Sequence, residues 1–451
     1  MSQPKQPAPK VSFFSTLKHF RTFLKNPAQY FQSQLDQHDG LVEITMPNRF
    51  VLTDRPDVIQ HVLQKNHKNY IKTKIVRKDL KELIGNGLLT SNGDYWLQQR
   101  RMIQKGFHRK RLQGISHIMV EEINQYMAQV MDVYAENEQE INLVDEMTHL
   151  AFNIVSKGLF SQAIDDSTLD LINRAVHESQ QFLVNRVRKP FLKPWYFISG
   201  ANYRNRKLRE KTNNLVLDAI DKRKQSNEEH DDLLQMLLES RYEDGEGMTN
   251  QQILEEALIL LVAGHETSSM SLAWTWFLLA TNPEIEDKLH QHVVDVLGDA
   301  PPSFEHIKPL NYVLQVIEES MRLYPPAWVV DREPLEDDCI NNTVIKKGVD
   351  IMALIYSVHR NPKYWENPEK FDPERFSAEN KKTHHPYSYL PFGGGPRLCI
   401  GNNFALMEMQ FILAQFIRRY RFELVPNQEI DTKPLVTLHP RYGIKVKVKK
   451  R

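Results

Sequence analysis

From about residue 94 to 325 apolar residues recur with a helical period almost without interruption. Breaks fall near 190–194, at 226–231, at 244–247 and at Asn282-Pro283. Shorter alternating runs flank this body. Gly40 to Thr45 and Arg49 to Thr53 read as two strands around the turn Met46-Pro47-Asn48, with a short helix from Asp57 to Gln64 after them. The last stretch, 339–451, is richer in Pro, Gly and β-branched residues, and Tyr442 to Val448 alternates as a strand. No internal repeat and no linker is visible. Residues 1–10, rich in Pro, Gln and Lys, read as a disordered tail. Residues 11–451 read as one large domain, mainly α with small β-sheets.

One helix stands out. Thr249-Asn250-Gln251-Gln252 is a capping box, and the helical pattern then runs to Ala280, before Asn282-Pro283. About 32 residues give a rod of roughly 48 Å, enough to cross a domain. Ala257 to Gly264 is apolar on all sides, which predicts burial. Polar residues then follow in the middle, His265-Glu266-Thr267-Ser268-Ser269, and buried polar groups need partners. Gly264 costs about 1 kcal/mol against Ala in a helix interior, and it removes a side chain where another group could come close. Thr267 is spaced to bond back to the Ala263 carbonyl.

The chemistry concentrates at Phe392-Gly393-Gly394-Gly395-Pro396-Arg397-Leu398-Cys399-Ile400-Gly401, which holds one of the chain's two cysteines. An apolar helical pattern, Phe404 to Ile412, follows at once, so Cys399 lies in a tight turn at a helix entrance. There unpaired N–H groups and the helix dipole favour an anion, and a thiolate so placed binds metal. The three glycines let the backbone pass close to a flat ligand. Arg397 adds a fixed positive charge able to pair with a carboxylate.

Composition narrows the classes. The net charge of +1 signals no polyanion partner. Two cysteines, Cys339 and Cys399, make neither a disulfide framework nor a zinc spacing, and a reducing, cytoplasmic compartment fits them. No apolar run nears the ~18–20 residues that span a bilayer. Residues 12–24 mix Phe and Leu with Lys, His and Arg, which leaves an interfacial amphipathic role open.

The pattern F-x-x-G-x-R-x-C-x-G resembles the haem-binding loop of the cytochromes P-450, where a cysteine thiolate holds haem iron. Five fixed positions match by chance on the order of 10⁻⁷ per window, or about 10⁻⁴ over the chain. Ala263-Gly264-His265-Glu266-Thr267 matches the family's A-G-x-E-T signature. Glu319-Ser320-Met321-Arg322, with Arg375 in Phe371-Asp372-Pro373-Glu374-Arg375-Phe376, resembles its structural ion-pair triad. Trp96 and Arg100 match W-x-x-x-R, with Arg101 as a competitor for Arg100, and Arg332 matches a second arginine.

The resemblance implies the P-450 fold with a long helix across haem b, and a monooxygenase that inserts one atom of O2 into a C–H bond. It implies Cys399 as metal ligand. Phe392, Gly395 and Gly401 would shape the loop, and Ala263 and Gly264 would border the haem. Trp96, Arg100, Arg332 and Arg397 would hold the propionates. Thr267 would hydrogen-bond dioxygen or its water, and Glu266 would relay protons. Glu319, Arg322 and Arg375 would brace the loop.

Electrons would come from NAD(P)H through a separate ferredoxin or flavodoxin and its reductase, since only a short stretch follows Cys399. The donor would dock on the basic run Arg101, Lys105, His108, Arg109, Lys110, Arg111. A soluble, monomeric, bacterial-type member is expected. The substrate would be a small lipophilic molecule, with 72–92 and 185–203 roofing its pocket. In those segments Arg186, Arg188, Lys189 and Lys193 hint at a polar or anionic end. A peroxide-driven haem-thiolate enzyme and a non-catalytic haem sensor or electron carrier are the competing readings.

Overall fold

The computed structural model describes residues 6–46, 48–161, 164–188, 192–226 and 230–451. Their contacts divide the chain into two compact units. The first joins residues 1–73, 126–147 and 267–451; the second joins 74–125 and 148–266.

The first unit holds the sheets. Six strands lie in the order Lys10–Val11, Leu41–Met46, Asn48–Thr53, Asp350–Ala353, Val330–Pro334, Tyr70–Ile71. The hairpin expected around 46–48 pairs Leu41 with Thr53 and Met46 with Asn48; Pro47 lies outside the described residues. Val42, Ile44 and Leu52 are fully buried, which fixes the register, since a one-residue slip would turn them to the other face. Within residues 1–10, expected as a disordered tail, Gln6, Pro7 and Lys10 are instead paired. Gln6–Pro7 lies parallel to Thr343–Val344, and Lys10–Val11 parallel to Glu43–Ile44. The partner strands are distant in sequence, so nothing local marked this pairing. Near the carboxyl end Lys445–Lys450 pairs with Tyr420–Leu424 and Glu140–Asn142.

The second unit is built from helices, among them Gly93–Gln104, Asp166–Arg188 and Ala201–Gln225. The central helix runs Asn250–Thr281 and contributes to both units, its residues through Glu266 to the second and from Thr267 to the first. Its capping box forms as expected: Gln252 N donates to Thr249 Oγ1 at 3.2 Å, and Thr249 N donates to Gln252 Oε1 at 2.8 Å. Two adjacent carboxylates of this helix hold the segment after residue 84. Asn86 N donates to Glu255 Oε2 at 3.0 Å and Leu88 N to Glu256 Oε2 at 3.1 Å.

Candidate active site

Cys399 lies in a closed loop of the first unit. Its N–H donates to the Phe392 carbonyl at 3.0 Å, Leu398 N to Gly395 O at 3.0 Å, and Gly393 N to Leu390 O at 3.1 Å. Helix Asn402–Arg419 starts three residues on, with Gly401 at its N-cap. The thiol is exposed while the helix behind it is buried. The glycines work differently from the expectation of clearance for a ligand. A Cβ on Gly395, at φ +65°, would stand 1.8 Å from the Leu63 carbonyl oxygen, and one on Gly394 2.9 Å from the Tyr387 ring. Protein backbone and ring claim that space. Only Gly393, at φ +74°, has nothing within 4 Å.

Beside this loop three cations gather, and one of them had no sequence signal. Arg332 sits opposite Ile351 in the sheet and is buried, its Nη1 donating to the Asp331 carbonyl at 2.7 Å. Arg397 is pushed down to about 9, by burial first and by the charge of Arg332 second. Lys72, half-buried by accessible surface, is pushed down to about 7. Loss of hydration is the main cause; Arg332 and Arg397 add to it, and Asp331 opposes. Pairing of Tyr70–Ile71 with Glu333 and Pro334 is what brings Lys72 to Arg332, a relation invisible in sequence. Like charges raise one another's energy, and an anionic group among them relieves it.

These residues fit a carboxylated prosthetic group. Among the described residues no group of three or more His, Cys, Asp or Glu could hold a metal ion.

Glu319, Arg322 and Arg375 come together. Arg322 Nε and Nη2 donate to the two Glu319 oxygens at 2.7 and 2.8 Å, with both side chains fully buried. Arg375 Nε lies 3.4 Å from Glu319 Oε1. Asp372 N donates to the same oxygen at 2.9 Å. Arg322 also donates to the carbonyls of His359, Pro368 and Lys370. His359, another residue without a sequence signal, links this network to the loop. Its Nε2 accepts from Leu390 N at 2.8 Å, and Leu390 O in turn accepts from Gly393 N. Burial, then the charge of Arg322, pushes His359 down to about 3, so it stays neutral and able to accept.

In the second unit Trp96 and Arg100 are half-buried, one turn apart on Gly93–Gln104. Arg101 is exposed and pairs with Glu243 at 3.3 Å, which separates it from the Trp96 face. Lys105, His108, Arg109 and Lys110 are exposed. Arg111 is not part of that surface: it donates to Asp232 O at 2.7 Å and faces Asp231 and Glu239.

Mid-way along the central helix burial gives way. Leu261 and His265 are buried, yet Ala263 is exposed and Gly264, Glu266 and Thr267 are half-buried. Ala263, Glu266 and Thr267 stand at i, i+3 and i+4, so they share one stripe of accessible surface on this helix. The helix passes here without a break. Gly264 faces Val155 of Leu143–Phe160, where a Cβ would meet side-chain carbons at 3.1 and 3.2 Å. The group that comes close at Gly264 is thus a side chain of the neighbouring helix. His265 Nδ1 lies 2.8 Å from Leu261 O, and its ring meets Phe152 edge-on. Glu266 Oε2 accepts from Gln180 Nε2 at 2.8 Å, a partner that sequence spacing could not supply.

A further acid, Glu408 of Asn402–Arg419, is fully buried with neither carboxyl oxygen hydrogen-bonded. Ser268 Oγ lies beside it and pulls toward the charged form. Burial dominates and raises Glu408 to about 8. Among the described residues no helix is long and apolar enough to cross a membrane.

The sequence model of the family Cytochrome P450 matches residues 4–448. A putative cytochrome P450 132 of Mycobacterium bovis is 30% identical over 461 residues, covering 98% of this chain and 97% of the relative. The cyclooctat-9-en-7-ol 5-monooxygenase of Streptomyces melanosporofaciens is 30% identical over 412 residues, 91% of this chain and 88% of the relative. Carotene epsilon-monooxygenase, chloroplastic, of Arabidopsis thaliana is 30% identical, over 90% of this chain and 78% of the relative. Among solved structures, the heme domain of cytochrome P450DA superposes with a TM-score of 0.89 at 24% identity, covering 100% of this chain and 98% of that one. With the family model spanning nearly the whole chain, and relatives named as monooxygenases aligned along most of it, the chain belongs to the cytochrome P450 family and is a monooxygenase.

Proposed function

We propose that the enzyme inserts one atom of O2 into a C–H bond of a small lipophilic substrate, by hydroxylation or by O- or N-dealkylation, on a haem b held through Cys399. The observation that carries this is the accessible thiol of Cys399 in the same unit as three mutually repelling cations, Lys72, Arg332 and Arg397. Haem with a thiolate ligand supplies the oxygen-activating chemistry when bound.

The chain's own residues divide the remaining work. Arg332, Arg397 and Lys72, with Trp96 and Arg100, hold the propionates. Phe392, Gly395 and Gly401 set the loop that presents the thiolate, and the Glu319–Arg322–Arg375 network braces it through His359. Glu266, steadied by Gln180, passes protons inward, and the Thr267 hydroxyl orders the water that receives them. Ala263 leaves accessible surface on the same helix stripe. Electrons arrive from NAD(P)H through a separate ferredoxin or flavodoxin and its reductase, in the cytoplasm. The relatives' names, with their carotene and cyclooctat-9-en-7-ol, support a lipophilic substrate.

Cys399→Ser tests the assignment. The reduced CO complex of the wild type is expected to show the red-shifted Soret band of thiolate ligation, and the variant to lose it. A band that survives the substitution would refute Cys399 as the ligand.

A further inference from the structure

In the first unit two short helices, Phe13–Lys18 and Phe20–Lys25, carry large apolar side chains outward. Phe14, Leu17, Phe20 and Leu24 are between 39% and 79% exposed. Phe14 and Leu17 stand at i, i+3 on the first helix, and Phe20 and Leu24 at i, i+4 on the second, so each helix presents its pair on one side. A single exposed leucine is ordinary on a folded surface. Four large apolar side chains within eleven residues mark an interaction surface.

The segment is fastened at both ends. Before it, Lys10–Val11 pairs with Glu43–Ile44. After it, the buried Asn26 donates through Nδ2 to Thr432 Oγ1 at 2.8 Å. Between them Thr16 is buried and donates to the Ser12 carbonyl at 3.2 Å. Phe23 packs against Tyr30 and Phe31 of the core, with ring centres 5.9 and 5.7 Å away. Phe20 stacks on Phe23 at 6.3 Å. The outward side chains therefore rest on packed structure, and a partner has little left to order.

Charge selects the partner. Lys18, Arg21 and Lys25 are exposed, and the sequence has no Asp or Glu before Asp36. Two acids on neighbouring strands and loops are already engaged, Glu43 by Arg49 at 2.8 Å and Asp431 by Arg441 at 2.7 Å. Cations interleaved with protruding Phe and Leu match a bilayer that holds anionic lipid: the apolar side chains enter the acyl boundary while the cations stay among the headgroups. A second copy of the chain would bring the same cations face to face and be repelled. We infer that these two helices form a docking surface for an anionic lipid bilayer, on which the enzyme lies without spanning it. The inference concerns where the enzyme works and is independent of the substrate. Trp195, Phe197 and Ile198 of the second unit are exposed as well. Upstream of them Arg186 is engaged by Asp79 at 3.2 Å and Glu82 at 2.7 Å, and Lys189 with the side chains of Arg188 and Lys193 lies outside the described residues.

The test sediments the haem-loaded full chain with vesicles of phosphatidylcholine, either alone or with one lipid in four replaced by phosphatidylserine. The wild type is expected to bind the mixed vesicles at least about tenfold tighter, through cations at a charged surface, and to be released by salt. The double variant Leu17→Ser, Leu24→Ser should bind mixed vesicles about tenfold more weakly, having lost its apolar insertion. The double variant Lys18→Glu, Lys25→Glu should lose the preference for phosphatidylserine. No binding of the wild type to mixed vesicles overturns the inference outright, whatever the variants do. Leucine variants that bind like wild type overturn it too, because a face that works by charge alone fits an acidic protein and not a bilayer. Charge variants that keep the preference would place the membrane contact elsewhere. A wild-type dimer in size-exclusion chromatography that Leu17→Ser, Leu24→Ser dissolves would assign the face to a second copy. The CO-difference band recorded on the same samples reports haem–thiolate ligation separately, so its absence alongside intact vesicle binding would count against the monooxygenase site and not against this surface.

Discussion

Glu408 shows how far burial alone moves a side chain. It sits fully buried nine positions after Cys399, without a hydrogen bond to either oxygen, and is raised from its usual 4.5 to about 8. Between those values the folded carboxyl keeps a proton that the unfolded one has released. The folded state then binds more protons, so this group's contribution to stability falls as pH rises from about 4.5 to about 8. Glu408→Gln keeps the shape and removes the titration. The thermal midpoint of the variant should depend less steeply on pH in that window than the wild type's, with the two curves diverging toward alkaline pH in the variant's favour. Parallel curves would show that Glu408 is charged in the native enzyme. Lys72 and Arg397 are the cationic counterpart, both held down by burial and by a neighbouring like charge.

Among the elements, the cysteine loop is defined as much by what surrounds it as by its own turn. Gly395 and Gly393 both have positive φ, but only Gly395 faces backbone, the Leu63 carbonyl at 1.8 Å from its would-be Cβ. Gly393→Ala should cost about 1–2 kcal/mol, the price of a left-handed backbone for a residue with a Cβ. Gly395→Ala adds displacement of the His61–Lys65 turn and should cost more and lower the haem-loaded fraction; thermal unfolding and the haem-to-protein absorbance ratio measure both. Equal losses at the two positions would mean that the Leu63 contact relaxes freely. The Glu319–Arg322 pair is linked to the same loop by hydrogen bonds through His359 and Leu390. Its fork-to-fork geometry with further backbone acceptors is what makes burial of the two charges tolerable, and removal of one partner would strand the other.

For the molecule as a whole, a net charge of +1 conceals an uneven surface. Lys105, His108, Arg109 and Lys110 are exposed within a few residues of one another, while Arg111 turns inward to acidic partners. An acidic electron donor would be steered to that patch, and screening would weaken the steering. Reduction by such a donor should slow as ionic strength rises, and the double variant Lys105→Glu, Lys110→Glu should be several-fold slower at low salt and nearly equal to wild type at high salt. A rate independent of both salt and substitution would place the docking surface elsewhere.

Much of this enzyme was legible as spacing along the chain. The capping box at Thr249, the i, i+3 placement of Glu319 and Arg322 and the Gly-Pro-Arg-Leu-Cys turn before a helix are local geometries, set by a few consecutive φ/ψ values and a fixed rise per residue. Other features formed only when distant segments met. Lys72 reached Arg332 through strand pairing, Gln6–Pro7 and Lys10–Val11 became strands by finding partners, and Gln180 met Glu266 across two helices. The neighbours of Gly264 and Gly395 were hidden for the same reason, because the atoms that crowd them, Val155 and Leu63, are far away in sequence. Local order can announce a helix, a turn and a reactive thiol. Which charges face one another, which acid loses its water and which donor is left without an acceptor depend on desolvation and on pairing between remote residues, and those exist only after the chain has packed.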